Sequence, residues 1–136
     1  MSAETKQAAL TWREALQFDG ELAGSPAIRI DGDNVTAPGP MGLLLLAAAS
    51  CTGSDVVLIL EKMRVRLESL RIDAAGTRRE TDPRRYMALH FTYRIRGEGL
   101  DETRARRAID LSIEKYCSVL HSLAPDIAIS YGLELG

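Results

Sequence analysis

The most restrictive stretch of this 136-residue chain lies between residues 41 and 60, where four leucines (43–46) run into three alanines (47–49). Pro40 precedes it and suits the first turn of a helix, because its missing N–H has no partner to lose there. A helix that is apolar on every side must be surrounded on every side, by protein or by lipid. At about 30 Å it has the length to cross a bilayer. Its middle, however, reads Ser50, Cys51, Thr52, Gly53, Ser54, Asp55, and an ionisable Asp55 is costly in hydrocarbon. The expectation is therefore a central helix wrapped by sheet or shared between subunits, with no membrane partner.

Around this run the segments alternate. Leu10, Trp12, Leu16 and Phe18 share one parity, and Ile28 and Ile30 oppose Arg29 and Asp31, with Gly20, Gly24, Ser25 and Pro26 between them. A period of two argues for strands, here an N-terminal hairpin with room for a further short strand. Leu70, Ile72 and Ala74 continue the pattern. It is sharpest over 86–96, where Met87, Leu89, Phe91, Tyr93 and Ile95 face His90, Thr92, Arg94 and Arg96. The polar connection 76–85 predicts a long antiparallel hairpin with one dry face. Asp101 is a candidate N-cap for a second helix whose stripe is Ala105, Ala108, Ile109, Ile113, Tyr116, Cys117 and Leu120, ending before Pro125. Ile127, Ile129, Tyr131, Leu133 and Leu135 predict a last strand. Strands, central helix, hairpin, helix and strand make an α+β class with an antiparallel sheet, read as a single domain over 1–136.

Composition removes other classes. With 46% apolar and 26% charged residues and a net charge of −2, the chain is neither a disordered polymer nor a basic nucleic-acid module. The arginines 78, 79, 84 and 85 are diluted by Glu80 and Asp82 and read as a solvated hairpin tip. No phosphate loop, dinucleotide fingerprint or G-x-S-x-G occurs, so neither a nucleotide cofactor nor a serine nucleophile is expected. Residues 1–10 lack a charged and apolar leader, so a reducing cytoplasm is the expected location.

The chemistry that remains is sulfur. The two cysteines, Cys51 and Cys117, both lie on faces expected to point inward. Each is open to two readings, a small buried hydrophobe or a reactive thiol. A reactive thiol needs a nearby positive charge. His121, four residues after Cys117, and Arg13 and Arg29, on the N-terminal strands, are candidates, although the arginines also suit a solvated sheet face. Cys51, Cys117, His90 and His121 have no local metal-ligand spacing, so no metal is expected.

The residues Ala37-Pro38-Gly39-Pro40-Met41, the Leu/Ala run closing on Ser50-Cys51-Thr52, and Asp55-Val56-Val57 with Ile59-Leu60-Glu61-Lys62 resemble the OsmC/Ohr family, in its YhfA-like branch. Asp110-Leu111-Ser112 with Glu114-Lys115-Tyr116-Cys117-Ser118-Val119 resembles its second cysteine block. The resemblance implies an intertwined homodimer around the central helices, with cysteine sites at the subunit interface. It implies Cys51 as peroxidatic cysteine, Cys117 as resolving cysteine and Arg29 as the arginine directed at the first thiol. The pattern departs at one point: the family's glutamate nine or ten residues before the first cysteine is replaced by Gly42 and Met41. The implied activity is reduction of organic hydroperoxides in oxidative-stress defence, with a dithiol or a lipoylated protein as reductant. The alternative is a non-catalytic dimer that senses oxidants through its thiols or binds a small molecule.

Overall fold

In the computed structural model, which describes residues 3–136, the alternating segments become strands and the apolar run becomes a helix. The chain divides into two compact units, one ending at Leu44 and one over Leu45–Gly136.

The first unit is a three-stranded antiparallel sheet, β1 (Ala8–Glu14), β2 (Gln17–Leu22) and β3 (Ile28–Asp31), in that order. The alternation of residues 10–18 therefore does not belong to one strand. The chain reverses at Ala15, whose φ of 48° lies in the left-handed region, and the Trp12 indole donates to the Ala15 carbonyl at 2.8 Å. Trp12 pairs with Phe18 and Leu10 with Gly20, so partners across the turn keep the same parity and the periodicity runs through the reversal unbroken. After β3, the Asp31 carboxylate accepts the N–H groups of Asp33 and Thr36, both at 2.9 Å, and the Thr36 hydroxyl at 3.0 Å. These hydrogen bonds hold Asp31 below the usual carboxylate range, the Thr36 amide foremost. Gly39 then accepts the Leu43 N–H and opens helix α1 (Pro40–Lys62), with Pro40 at the first position as expected.

The second unit holds most of α1, then β4 (Arg66–Arg78), β5 (Tyr86–Glu98), α2 (Glu102–Leu111), a π-turn (Ser112–Tyr116), α3 (Ser118–His121) and β6 (Ala128–Leu135). Its sheet runs β4-β5-β6. The expected hairpin is β4–β5, but β6 joins β5 in parallel, so the sheet is mixed rather than antiparallel throughout. The helical crossover from α2 to α3 makes this pairing possible, since a tight turn joins only antiparallel strands.

The dry face of β5 is Leu89, Phe91, Tyr93 and Ile95, none more than 1% exposed. Met87, expected on that face, is exposed, and Tyr86 is buried instead, because the register shifts where Arg78 pairs with Tyr86. Gly76 makes room for the turned-in ring, since a Cβ there would collide with it. Helix α1 buries Ala48, Thr52, Gly53, Val56 and Leu60. It comes so near β4 that a Cβ on Gly53 would stand 3.1 Å from the Ile72 side chain. Each large side chain buried in this layer contributes about 1.5–3 kcal/mol. By length and mean hydropathy (2.1) α1 would also suit a bilayer, yet one stripe is committed to protein and Asp55 accepts a hydrogen bond from Ser112.

Candidate functional site

Cys51 occupies the one stretch of α1 where polar side chains interrupt the apolar run. Two neighbouring hydroxyls bond back to the helix: Ser50 donates to the Ala47 carbonyl at 3.1 Å and Ser54 to that of Ser50 at 2.8 Å. Thr52 behaves differently. It is fully buried, with its hydroxyl 2.8 Å from both the Tyr93 phenol and the Ser112 hydroxyl. Cys51, half-buried, sits next to it.

The second cysteine is placed by an irregularity. Asp101 caps α2 as expected, accepting the Arg104 N–H at 2.8 Å, and Ala105, Ala108 and Ile109 are buried. The helix expected to continue to Leu120 ends at Leu111 and passes into the π-turn, in which the Cys117 N–H donates to Ser112 O at 2.7 Å. Cys117 itself is extended (φ −68°, ψ 100°), fully buried, and begins α3. His121 follows it by one helical turn, its N–H donating to the Cys117 carbonyl at 3.0 Å. Its imidazole Nε2 meets the Ile113 carbonyl at 3.1 Å. Ser112 was the overlooked signal: a serine three residues beyond Ile109 falls on the inward stripe, where a hydroxyl needs a partner.

These two local structures bring Cys51 and Cys117 side by side as free thiols. Burial pushes the Cys117 thiol up to about 11, against a smaller opposing effect of the Leu120 amide. The neighbouring Cys51 thiol acts in the same direction as burial. Beside the thiols lies a chain of hydroxyls whose direction follows from its end. A carboxylate only accepts, so Ser112 donates to Asp55 at 2.8 Å, Thr52 donates to Ser112, and the Tyr93 phenol donates to Thr52. Burial raises Tyr93 to about 12, so it stays a donor at neutral pH.

Arg29 lies on β3 in the first unit. Its Nε donates to Asp19 Oδ1 at 2.8 Å, while Arg13 Nε takes the other oxygen of Asp19 at 2.5 Å. The Arg29 hydrogen bond, with Arg13 adding to it, holds Asp19 below the usual carboxylate range. Asp19 is a second residue the sequence alone did not single out. Its signal was alternation, because Asp19 and Arg29 are direct cross-strand partners. His90 sits on the polar face of β5, with Nδ1 2.8 Å from the Ser130 hydroxyl. Among the described residues no group of three or more His, Cys, Asp or Glu side chains is placed to hold a metal ion.

Two apolar clefts open on the second unit. One, of about 650 Å³, runs along α1 between Leu46, Ala49, Val57 and Leu58 and reaches Leu70 and Ile72. The other, of about 280 Å³, lies between Ile113, Leu120, Leu123 and Ile129.

Residues 31–132 match the OsmC-like protein family. Protein YhfA of Escherichia coli K12 is 37% identical over 130 residues, which span 95% of this chain and 97% of that protein. A hypothetical protein from Aquifex aeolicus VF5 has a crystal structure that superposes with a TM-score of 0.90 at 30% identity, covering 98% of both chains. The organic hydroperoxide resistance protein OsmC of Legionella pneumophila shares the fold, with a TM-score of 0.70 at 13% identity over 98% of this chain and 99% of its own. On the match over residues 31–132 and the 37% identity to YhfA across 95% of this sequence, the chain belongs to the OsmC-like protein family.

Proposed function

We propose that this protein is a thiol-dependent reductase of organic hydroperoxides, acting as a cytoplasmic homodimer in oxidative-stress defence. The observation that carries this reading is the pairing of two free thiols, Cys51 half-buried and Cys117 fully buried, with burial pushing the Cys117 thiol up. Cys51, the more accessible of the two, is on this reading the sulfur that meets the peroxide first.

The chemistry balances in three steps. The Cys51 thiolate attacks the distal oxygen of a hydroperoxide ROOH, the O–O bond breaks, and ROH leaves after taking a proton, with Cys51 oxidised to the sulfenic acid. The Cys117 thiol attacks that sulfur, forming the disulfide and releasing water. A dithiol, small or lipoylated, reduces the disulfide and leaves as its own disulfide. Arg29, by family resemblance, supplies the positive charge that favours the thiolate and the developing alkoxide. The carboxylate that Met41 and Gly42 do not provide comes, on this reading, from Asp19, which takes the Arg29 Nε–H at 2.8 Å. The apolar clefts support an alkyl or lipid hydroperoxide over hydrogen peroxide, and a relative of the same fold is described as an organic hydroperoxide resistance protein.

The experiment is dithiol-dependent consumption of cumene hydroperoxide. Wild type turns over, Cys51→Ser is inactive, and Cys117→Ser stops after one equivalent. Equal rates for wild type and Cys51→Ser would overturn the reading. The departure at Met41 and Gly42 favours one rival, a non-catalytic thiol sensor. It requires stoichiometric oxidation without turnover, which the same assay detects.

A further inference from the structure

We propose that Asp55, acting through Ser112, is a positioning residue that holds Cys117 within reach of Cys51. The inference rests on the dithiol reading above and adds a role that neither cysteine can supply for itself.

The geometry is a clamp. Thr52 and Asp55 stand three residues apart on α1, on one side of the helix, and Thr52 is the chain neighbour of Cys51. Both reach the same atom, Ser112 Oγ, at 2.8 Å each. The carbonyl of Ser112 accepts the Cys117 N–H at 2.7 Å. Two side-chain hydrogen bonds and one backbone hydrogen bond thus connect the helix bearing one thiol to the residue bearing the other.

The clamp acts where the backbone needs it. A π-turn is rare and appears mostly as a single turn set into an α-helix, so an added constraint helps to hold it in place. In a regular α-helix the Cys117 N–H would bond to the carbonyl four residues back, that of Ile113. That carbonyl meets the His121 imidazole instead, at 3.1 Å. Turning Cys117 by one helical position would rotate its side chain about 100° away from α1, because a helix has 3.6 residues per turn. Ser112 held from α1 opposes that slip, and the His121 contact gives the Ile113 carbonyl a partner without it.

The hydroxyl chain also contains its own control. Among the described residues Tyr93 hydrogen-bonds to Thr52 and not to Ser112 or Asp55, so removing its phenol disturbs a buried hydrogen bond without opening the clamp.

The test is a redox titration of the intact protein with glutathione, in which two protein thiols and oxidised glutathione give the Cys51–Cys117 disulfide and two reduced glutathiones. Trapped species are counted by mass spectrometry. Ser112→Ala and Asp55→Ala are expected to lower the equilibrium constant for the disulfide about tenfold, raising its potential by about 30 mV. Asp55→Asn keeps an acceptor for Ser112 and stays within about twofold of wild type by the same measure, as does Tyr93→Phe despite a lower Tm. If Ser112→Ala and Asp55→Ala titrate like wild type, or if Tyr93→Phe shifts the potential as far as they do, the clamp is refuted and the dithiol reading survives. A wild-type chain that forms no Cys51–Cys117 disulfide refutes both.

Discussion

The two three-stranded sheets are built from similar alternating sequence and end differently. In β5 the apolar parity is sealed, with Leu89, Phe91, Tyr93 and Ile95 at most 1% exposed. In the first sheet much of the apolar parity stays open, with Leu10 at 60%, Trp12 at 63% and Ile28 at 50% exposure, while Phe18 and Ile30 are half-buried. What separates them is cover. Helix α1 lies across the second sheet, close enough for Thr52 to touch Tyr93 and for Gly53 to be needed beside Ile72. Alternation therefore reports a strand with one apolar face and is silent about what, if anything, packs on it. Exposed apolar residues gathered on one sheet are a usual mark of an interaction surface, in keeping with the homodimer proposed above.

The largest expected effect tests this difference directly. Phe91→Ala should destabilise the fold by about 3–5 kcal/mol in denaturant titration, whereas Trp12→Ala at high dilution should change it by no more than about 0.5 kcal/mol. At higher protein concentration Trp12→Ala should weaken self-association in sedimentation velocity. Equal losses of stability at high dilution would end the comparison.

A smaller effect sharpens the account of the sealed side. Thr52→Val keeps the shape of the side chain but deprives the Tyr93 phenol and the Ser112 hydroxyl of a buried partner, an expected loss of about 1–3 kcal/mol. A neutral Thr52→Val would mean that water repairs the gap.

The smallest effect assigns each region its own end of the pH scale. Asp19 titrates below its ordinary 3.8 in the fold because of Arg29, so its contribution is present above that value and is lost as acid protonates it. Cys117 titrates above its ordinary 9.0, at about 11, because it is buried, so the unfolded chain ionises first and stability falls as pH rises between those values. The stability–pH profiles of Asp19→Asn and Cys117→Ala should flatten at the acid and alkaline ends respectively. A change at the opposite end in either variant would contradict the assignment.

Much of the molecule was legible before any coordinates. Pro40, the leucine run and the polar break at Ser50–Asp55 announce α1, because a helix start and all-round apolarity depend on local chemistry. Asp101 announces α2 through its short reach to the Arg104 amide. The turn at Ala15 was hidden because the parity of side chains is the same on both sides of it. The direction of β6 was hidden because parallel and antiparallel strands have the same period.

The candidate site divides the same way. Sequence alone put both cysteines on faces expected to point inward, since periodicity follows from bond geometry within a few residues; Cys117 is fully buried and Cys51 half-buried. Only the tertiary structure decided that Cys117 leaves its helix after a π-turn, that Ser112 is gripped by Thr52 and Asp55, and that burial raises the Cys117 thiol. The physical reason is range. Helix and strand propensities act between near neighbours along the chain, whereas a buried hydroxyl finds its partner, and a thiol loses its solvent, only when residues sixty positions apart are packed together.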